Sequence, residues 1–133
     1  MIEHARIVSR NFEAARRFYC AAAPVVGLSV MPTGQDCFCI GKGEAEDGLL
    51  LWVGEAKPAF WDGELLADTD TGVDVAFEAQ DDFSVRAFYR AALEAGGRSQ
   101  GYPAPRPTGG RGSYYAATVI DPDGNRVECG WRH

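Results

Sequence analysis

The chain has 133 residues, of which 46% are hydrophobic and 24% are charged, and its formal net charge is −6. This length predicts one domain with a sizeable core, and the composition excludes a disordered chain. The acidic balance, with no run of Lys or Arg to oppose it, excludes nucleic acid as a favoured partner. The charged N-terminus lacks the apolar core of a signal peptide, and no segment approaches the ~18 apolar residues of a membrane span. We therefore predict a cytoplasmic protein without a membrane partner.

The first part of the chain predicts a strand, a helix and further strands. "EHARIV" alternates like a strand that buries one face, and "FEAARRFYCAA" at 12–22 places apolar residues at i, i+3 and i+4. Asn11 precedes this helix and is a favourable N-cap. The runs "CFCI" and "GLLLWVGE" follow and are typical of strands.

The same order recurs after residue 70. "VDVAFE" and "FSVRAFYRAA" align with the first strand and helix at an offset of 70, which places Phe88 on Phe18 and the N-cap Asp81 on Asn11. "SYYAATVI" and "NRVECGW" then flank "DPDG", which is typical of a type I turn.

The repeat predicts an α+β fold built from two β-α-β-β-β modules. We place both modules in a single domain, 1–133, with bounds of about 1–60 and 70–133 and a linker at 61–69. Strand alternation assigns four polar or aromatic residues to the sheet faces opposite the helices. They are His4, Trp52, Asp74 and Glu128.

Three stretches carry a resemblance to a known superfamily: "EHARIVSRNFEAARRFY", "GVDVAFEAQDDFSVRAFYRAALEAGGR" and "YYAATVIDPDGNRVE". The chain resembles the vicinal oxygen chelate proteins, which include glyoxalase I, extradiol dioxygenases, and fosfomycin and bleomycin resistance proteins. The resemblance implies two modules that curl into a cupped mixed sheet around a divalent metal. It spans nearly the whole chain.

The resemblance also implies metal ligands, at His4, Asp74 and Glu128. One imidazole and two carboxylates suit Mn, Fe, Co, Ni or Zn, with substrate oxygens at the open positions. Glu128 is then the candidate catalytic base. Three residues depart from the family pattern: Asp74 stands where a second histidine is common, Trp52 cannot coordinate a metal, and Val8 stands where an arginine of glyoxalase I would anchor glutathione.

An ion-free cavity is the alternative, and we expect it about as often as a bound metal. Arg6 shares a strand face with His4, so its guanidinium could pair with Asp74 or Glu128 in place of an ion. Of two functional classes we predict the first and keep the second as the alternative. One is a metal-dependent lyase, isomerase or dioxygenase that acts on a small oxygenated molecule. The other is a metal-free protein that binds and sequesters a small molecule, as bleomycin resistance proteins do.

Further residues are candidates for contacting a small-molecule ligand. Tyr114 and Tyr115 are adjacent in a strand, so one faces the cavity and the other the core, and the pattern does not assign which. The segment 101–113 is rich in Gly and Pro and predicts an irregular loop that could bring Arg106 or Arg111 to an anionic substrate. Arg6 and Trp52 complete this set.

Cysteine spacing and module pairing complete the predictions. Cys20, Cys37, Cys39 and Cys129 form no C-x-x-C pair, which indicates reduced thiols packed as small hydrophobic residues. An unpaired sheet edge in a two-module fold favours a homodimer. A cup that serves mainly for dimerisation is the third functional class left open.

Overall fold

The computed structural model of the chain describes residues 5–42, 49–55, 74–108 and 112–132. Two predicted site residues, His4 and Arg111, and the predicted linker 61–69 lie outside these ranges. The strands are β1 Ala5–Ser9, β2 Ser29–Gly34, β3 Cys37–Gly41, β4 Leu49–Glu55, β5 Asp74–Glu78, β6 Arg98–Arg106, β7 Tyr114–Ile120 and β8 Arg126–Arg132. The helices are α1 Phe12–Ala22, a 3₁₀ helix Ala23–Val26, and α2 Asp82–Glu94.

The strands form two four-stranded sheets with the same internal order, β1-β4-β3-β2 and β5-β8-β7-β6. In each sheet the first strand runs parallel to the last strand of its module, and the other neighbours are antiparallel. A parallel pair needs a crossover, which α1 supplies in one module and α2 in the other. The predicted α+β fold of two β-α-β-β-β modules is confirmed.

Both predicted helix starts are confirmed by side-chain caps. The Asn11 side chain accepts a hydrogen bond from the backbone N–H of Ala14, and the Asp81 side chain accepts one from Ser84. These bonds satisfy donors that the first turn of a helix leaves unpaired. Neither helix of the described ranges is long and apolar enough to cross a membrane.

The edge strands β2 and β6 complete the four strands predicted for each module, but their prolines interrupt the alternation that would have located them in the sequence. Pro32 lies in β2, and Pro103 and Pro105 lie in β6. An edge strand tolerates proline, since one side of its backbone has no partner in the sheet. The prediction of an irregular loop over 101–113 was therefore wrong for residues up to Arg106, which belong to β6 and pair with β7 across two register shifts.

One hydrophobic core joins the two modules. Phe18 and Phe88, which the repeat aligns, are both fully buried, and so are Leu51 and Val127 on the sheets. Helix α1 packs against α2, and each module contributes its apolar sheet face to the same cluster. The aligned apolar positions of the repeat are therefore core positions in both copies.

A buried polar contact also links the modules at the predicted turn. The backbone N–H of Gly124 donates to the carbonyl of Asp121, which confirms a tight turn at "DPDG". The Asp121 carboxylate accepts a hydrogen bond of 2.6 Å from the hydroxyl of Tyr19 on α1 and further bonds from Asn125. Burial, together with the Asp121 charge, raises the pKa of Tyr19 well above its ordinary value.

The cysteines follow the prediction only in part. All four are free thiols; Cys39 and Cys129 are buried as expected, whereas Cys20 is exposed on α1. Burial raises the pKa of the Cys129 thiol to about 12. Cys129 is thus a core side chain, and the packing prediction was wrong for Cys20.

Candidate functional site

Each sheet buries one face against the helices and turns the other face away from them. On the first sheet, β-pairing places Met31, Cys39, Trp52 and Arg6 in one row across the four strands. We call this row the N-terminal face. On the second sheet, the corresponding C-terminal face carries Asp74, Tyr114, Thr118, Arg126 and Glu128.

A cavity of about 320 Å³ opens on the C-terminal face. Its polar and charged lining consists of Gln100, Arg106, Tyr114, Thr118, Arg126 and Glu128. A second cavity of about 340 Å³ borders Tyr114 as well, and Lys42 and Glu78 line it with Nζ and Oε1 3.7 Å apart. Tyr114 therefore stands between two cavities of a size suited to small ligands.

Glu128 is bound by two neighbours on the C-terminal face. Its Oε2 accepts a hydrogen bond of 2.5 Å from the Tyr114 hydroxyl, and its Oε1 lies 3.9 Å from Nη2 of Arg126. The side chain is about a quarter exposed, at 27%. Glu128 thus presents a carboxylate that is positioned by a phenol and an arginine and still reached from the cavity.

Tyr114 is held from three sides. Its ring lies over Gly130, where an added β-carbon would come within 2.6 Å of Tyr114 Cζ, so only glycine leaves room for it. The Arg132 guanidinium lies 4.8 Å from the ring centroid on a cation–π contact. Burial, assisted by the hydrogen bond to Glu128, raises the pKa of Tyr114 to about 12, so the hydroxyl stays a donor at neutral pH.

The structure distinguishes the two adjacent tyrosines. Tyr114 lines both cavities, whereas Tyr115 packs against the hydrophobic core on the other side of β7. The Tyr115 hydroxyl accepts a hydrogen bond of 3.3 Å from Arg86 of α2, whose guanidinium lies 5.9 Å from the ring centroid. Tyr115 is thus a side chain of the helix–sheet contact.

Arg106 reaches the cavity from the end of β6. Its Nε donates to the carbonyl of Ala116 at 3.3 Å, and its Nη2 donates to the carbonyl of Tyr102. These bonds cross the irregular part of β6, where register shifts free the Tyr102 carbonyl from the ladder. The guanidinium is therefore fixed beside the cavity by its own sheet and not by a mobile loop.

The N-terminal face has a different character. The Arg6 guanidinium lies 5.4 Å from the centroid of the Trp52 ring, and that ring covers Gly54, where a β-carbon would meet it at 2.7 Å. Arg6 and Trp52 line neither of the two cavities described above. Within the described part of the chain, the arginine beside Glu128 is Arg126, whereas Arg6 lies over the ring of Trp52.

The described residues supply two of the three predicted metal ligands. Asp74 pairs with Arg126 in the parallel β5–β8 ladder, so it shares a face with Glu128 and lies one pleat away along the sheet. Asp74 is exposed. Within the described ranges, no group of three His, Cys, Asp or Glu side chains is close enough to hold a metal ion. These residues alone do not fit a complete metal site.

Sequence reasoning missed three polar side chains of the cavity: Gln100, Thr118 and Arg126. Arg126 could have been found, because it stands two residues before Glu128 in one strand and must share its face. Gln100 lies in the proline-interrupted strand that the pattern did not show. Thr118 depends on the β7–β8 register, in which it is the direct partner of Glu128.

Comparisons with known proteins agree on the fold. Neither the protein-family models nor the curated proteins give a match. Solved structures do match: a glyoxalase/bleomycin resistance protein from Albidiferax ferrireducens T118 has 20% identity and a TM-score of 0.73, with 100% of this chain and 99% of that chain covered. A lactoylglutathione lyase from Agrobacterium tumefaciens has 16% identity and a TM-score of 0.63, with 98% and 92% covered.

A third structure extends the same result. A glyoxalase/bleomycin resistance protein/dioxygenase family enzyme from Burkholderia phytofirmans PsJN has 18% identity and a TM-score of 0.66, with 96% of this chain and 95% of that chain covered. At these identities the likeness establishes the fold, and one fold hosts many chemistries. The predicted glyoxalase/bleomycin-resistance/dioxygenase fold is confirmed on this basis.

Proposed function

Starting from a fold shared with glyoxalase, bleomycin resistance and dioxygenase proteins, we propose that this chain binds a small polar molecule in the cavity of its C-terminal face. The Tyr114–Glu128 pair is the polar anchor of that site. The single observation that carries the proposal is the 2.5 Å hydrogen bond between these two side chains at the wall of a cavity of about 320 Å³.

The arrangement of the site supports binding because its polar groups are already in place. Glu128, Gly130 and Arg132 hold Tyr114, and the carbonyls of Tyr102 and Ala116 hold Arg106. Side chains that are fixed before binding lose little conformational entropy when a ligand arrives. A few convergent polar groups in a concave site are also typical of ligand pockets.

The same pair can move a proton. Glu128 Oε1 lies beyond hydrogen-bond distance from Arg126 and can accept a proton or hydrogen bond from a ligand, while the Tyr114 hydroxyl stabilises the carboxylate at Oε2. Glu128 is therefore the candidate general base if the bound molecule is also transformed. Binding is the primary proposal, and acid–base chemistry is its extension.

A metal-dependent lyase, isomerase or dioxygenase is the second candidate. The observation in its favour is that Asp74 and Glu128 lie on one face of adjacent parallel strands. Elemental analysis after incubation with Mn²⁺, Fe²⁺, Co²⁺, Ni²⁺ or Zn²⁺ and desalting tests it. About one retained ion per chain, lost in both Asp74→Ala and Glu128→Ala, would replace the metal-free proposal.

Assembly and location complete the proposal. We place the protein in the cytoplasm as a homodimer, because its free thiols suit a reducing compartment and its fold presents an edge strand, β1 or β5, on each sheet. Light scattering coupled to size exclusion tests the assembly. A mass of one chain at micromolar concentration would contradict it.

A fragment screen followed by ¹H–¹⁵N spectra tests binding. We expect hits to shift the amide signals of Thr118 and Glu128 on the C-terminal face. Ala116 forms part of the cavity wall, so Ala116→Leu should weaken such hits about tenfold or more by filling space.

Two further variants make this experiment specific. Ala21→Leu is the matched control, since Ala21 is exposed on α1 and the change should leave binding intact. Tyr114→Phe keeps the ring and removes the hydroxyl, so it tests the anchor without filling the cavity. Hits that bind equally well to Ala116→Leu and Tyr114→Phe, or a screen without any shift on this face, would refute the proposal.

A further inference from the structure

Resting on the binding function proposed above, we infer that the ligand carries an oxyanion, a carboxylate or a phosphate group, which lies between the guanidinium groups of Arg106 and Arg126. Both arginines line the same cavity. The chain as a whole has a net charge of −6, so two arginines on one cavity wall depart from its overall acidic balance.

Arg106 offers donors that its own sheet leaves unused. One N–H on Nε and one on Nη2 go to the carbonyls of Ala116 and Tyr102, while both N–H groups of Nη1 have no partner among the described residues. Gly101 borders the guanidinium closely, since a β-carbon there would lie 3.1 Å from Nη2. The group is thus held with a free edge, the geometry in which arginine binds an oxyanion with two hydrogen bonds.

Arg126 faces the cavity from β8, which is separated from Arg106 on β6 by strand β7. Its Nε donates to Oε1 of Gln100 at 2.9 Å, which orients the guanidinium across β6 and β8. Its Nη2 lies 3.9 Å from Glu128, an ion pair that is too long for a hydrogen bond. The N–H groups of Nη1 and Nη2 are therefore available to a ligand.

The cavity wall offers fewer carboxylate oxygens as hydrogen-bond acceptors than it offers free N–H donors from Arg106 and Arg126. Among the described residues that line the cavity, Glu128 is the one carboxylate, and its Oε2 is already taken by the Tyr114 hydroxyl. A cationic ligand would meet two arginines and compete with them for one remaining carboxylate oxygen. An oxyanion instead pairs with the unused donors, which favours it as the recognised group.

Titration with sodium phosphate and sodium glycolate at constant ionic strength tests this inference, with methylammonium chloride as the cationic probe. The readout is the backbone amides of Gly101 and Thr118 together with the side-chain Nε–H of Arg126. We expect both anions to shift these signals saturably and methylammonium to leave them unchanged. The tighter of the two anions indicates whether a phosphate or a carboxylate is the preferred source of the charge.

Variants of single arginines locate the bound anion. Arg106→Met and Arg126→Met should each weaken anion binding about tenfold or more, because each removes charge-assisted hydrogen bonds. Arg98→Met is the matched control: Arg98 lies in the same strand as Arg106, is exposed, and lines neither cavity. Arg126 is also exposed, so its replacement keeps the fold even if Arg106→Met does not.

Glu128→Gln should change anion affinity in the opposite direction to the two arginine variants. Removing this carboxylate takes away a repulsive charge, so simple oxyanions should bind more tightly. Shifts by methylammonium and not by the anions, or equal weakening by Arg98→Met and Arg126→Met, would overturn the inference. If neutral fragments bind the cavity independently of both arginines, the inference fails and the binding function stands; if nothing binds there, both fail.

Discussion

The two modules are built alike but their outward faces differ. In the core, the aligned positions hold residues of the same kind: Phe18 and Phe88 are both fully buried, as are Val53 and Cys129. On the outward faces, the repeat aligns Trp52 with Glu128, one an indole stacked under an arginine and the other a carboxylate in a polar cavity. The comparison indicates that core packing is shared by the repeat, whereas the cavity carboxylate Glu128 is replaced at the aligned position of the first copy by Trp52.

A glycine supports an aromatic ring in both modules, by different routes. Gly54 and Gly130 align in the repeat, and each lies beneath a ring on the outward face. Over Gly54 the ring is Trp52 of the same strand, whereas over Gly130 it is Tyr114 of the neighbouring strand. Because Tyr114 comes from β7, the position on β8 that aligns with Trp52 is free to carry Glu128.

The largest expected effect tests the equivalence of the two cores. Phe18→Ala and Phe88→Ala should each lower the free energy of unfolding by about 3–5 kcal/mol, since each leaves a cavity in one shared core. Urea denaturation measures this. Phe83→Ala is the control, because Phe83 is 70% exposed and its loss should cost within about 0.5 kcal/mol. A cost below about 1 kcal/mol at either buried site would break the equivalence.

Two aligned tyrosines should then differ. Tyr19→Phe removes the buried donor to Asp121 and should cost about 1–3 kcal/mol of unfolding free energy. Tyr89→Phe removes a 2.7 Å bond to Ser99 near the surface and should cost less than about 1 kcal/mol. Equal losses in urea denaturation would show that the contact at the turn does not tie the modules together.

Each module also contains a tyrosine with a raised pKa, so the free energy of unfolding should fall at high pH through a contribution from each module. The pKa of Tyr114 is raised to about 12 in the folded chain, from an ordinary value of 10. The protonated phenol therefore stabilises the fold fully below pH 10, and this contribution is lost as the pH rises through 12. The fall between these values should be smaller in Tyr114→Phe.

Tyr19 is the internal comparison for that experiment. Its pKa is also raised, by deeper burial and by Asp121, so its stabilisation is lost in the same direction at high pH. Tyr19→Phe should therefore reduce the high-pH fall as well, and the double variant should reduce it further, leaving the part that Cys129 contributes through its own raised pKa of about 12. A wild-type fall that neither variant alters would contradict both assignments.

The smallest expected effect distinguishes the two glycines that lie beneath aromatic rings, Gly54 and Gly130. Gly130→Ala should push the Tyr114 ring away from Glu128 and lower the tyrosine pKa from about 12 toward 10, as measured by ultraviolet titration at 295 nm on a Tyr19→Phe background. Gly54→Ala should leave that pKa unchanged and alter tryptophan fluorescence through Trp52. An unchanged tyrosine titration in Gly130→Ala would mean that the Tyr114 ring keeps its position beside Glu128 without a glycine beneath it.

Most of the fold follows from the sequence, because hydrophobic periodicity and capping residues act locally. The spacing of apolar residues in 12–22, with Asn11 before them, is sufficient to predict α1, and the same logic predicts α2 from its repeat. Alternation also places Glu128 on the outward face of its strand. These features depend on neighbours within a few residues of one another.

The candidate site needed the tertiary structure, because its contacts join residues distant in the chain. The pairing of Tyr114 with Glu128 depends on the β7–β8 register, and the position of Arg106 depends on the irregular pairing of a proline-bearing edge strand with β7. The alternation within one strand does not specify how that strand is aligned with its neighbour. A change of one residue in this alignment would move every side chain of the strand to the other face of the sheet. The sequence thus determined which residues face outward, including Arg126 two residues before Glu128 in one strand. The sheet register decided that Tyr114 of β7 joins Glu128, and only the tertiary structure showed that Arg6 contacts Trp52.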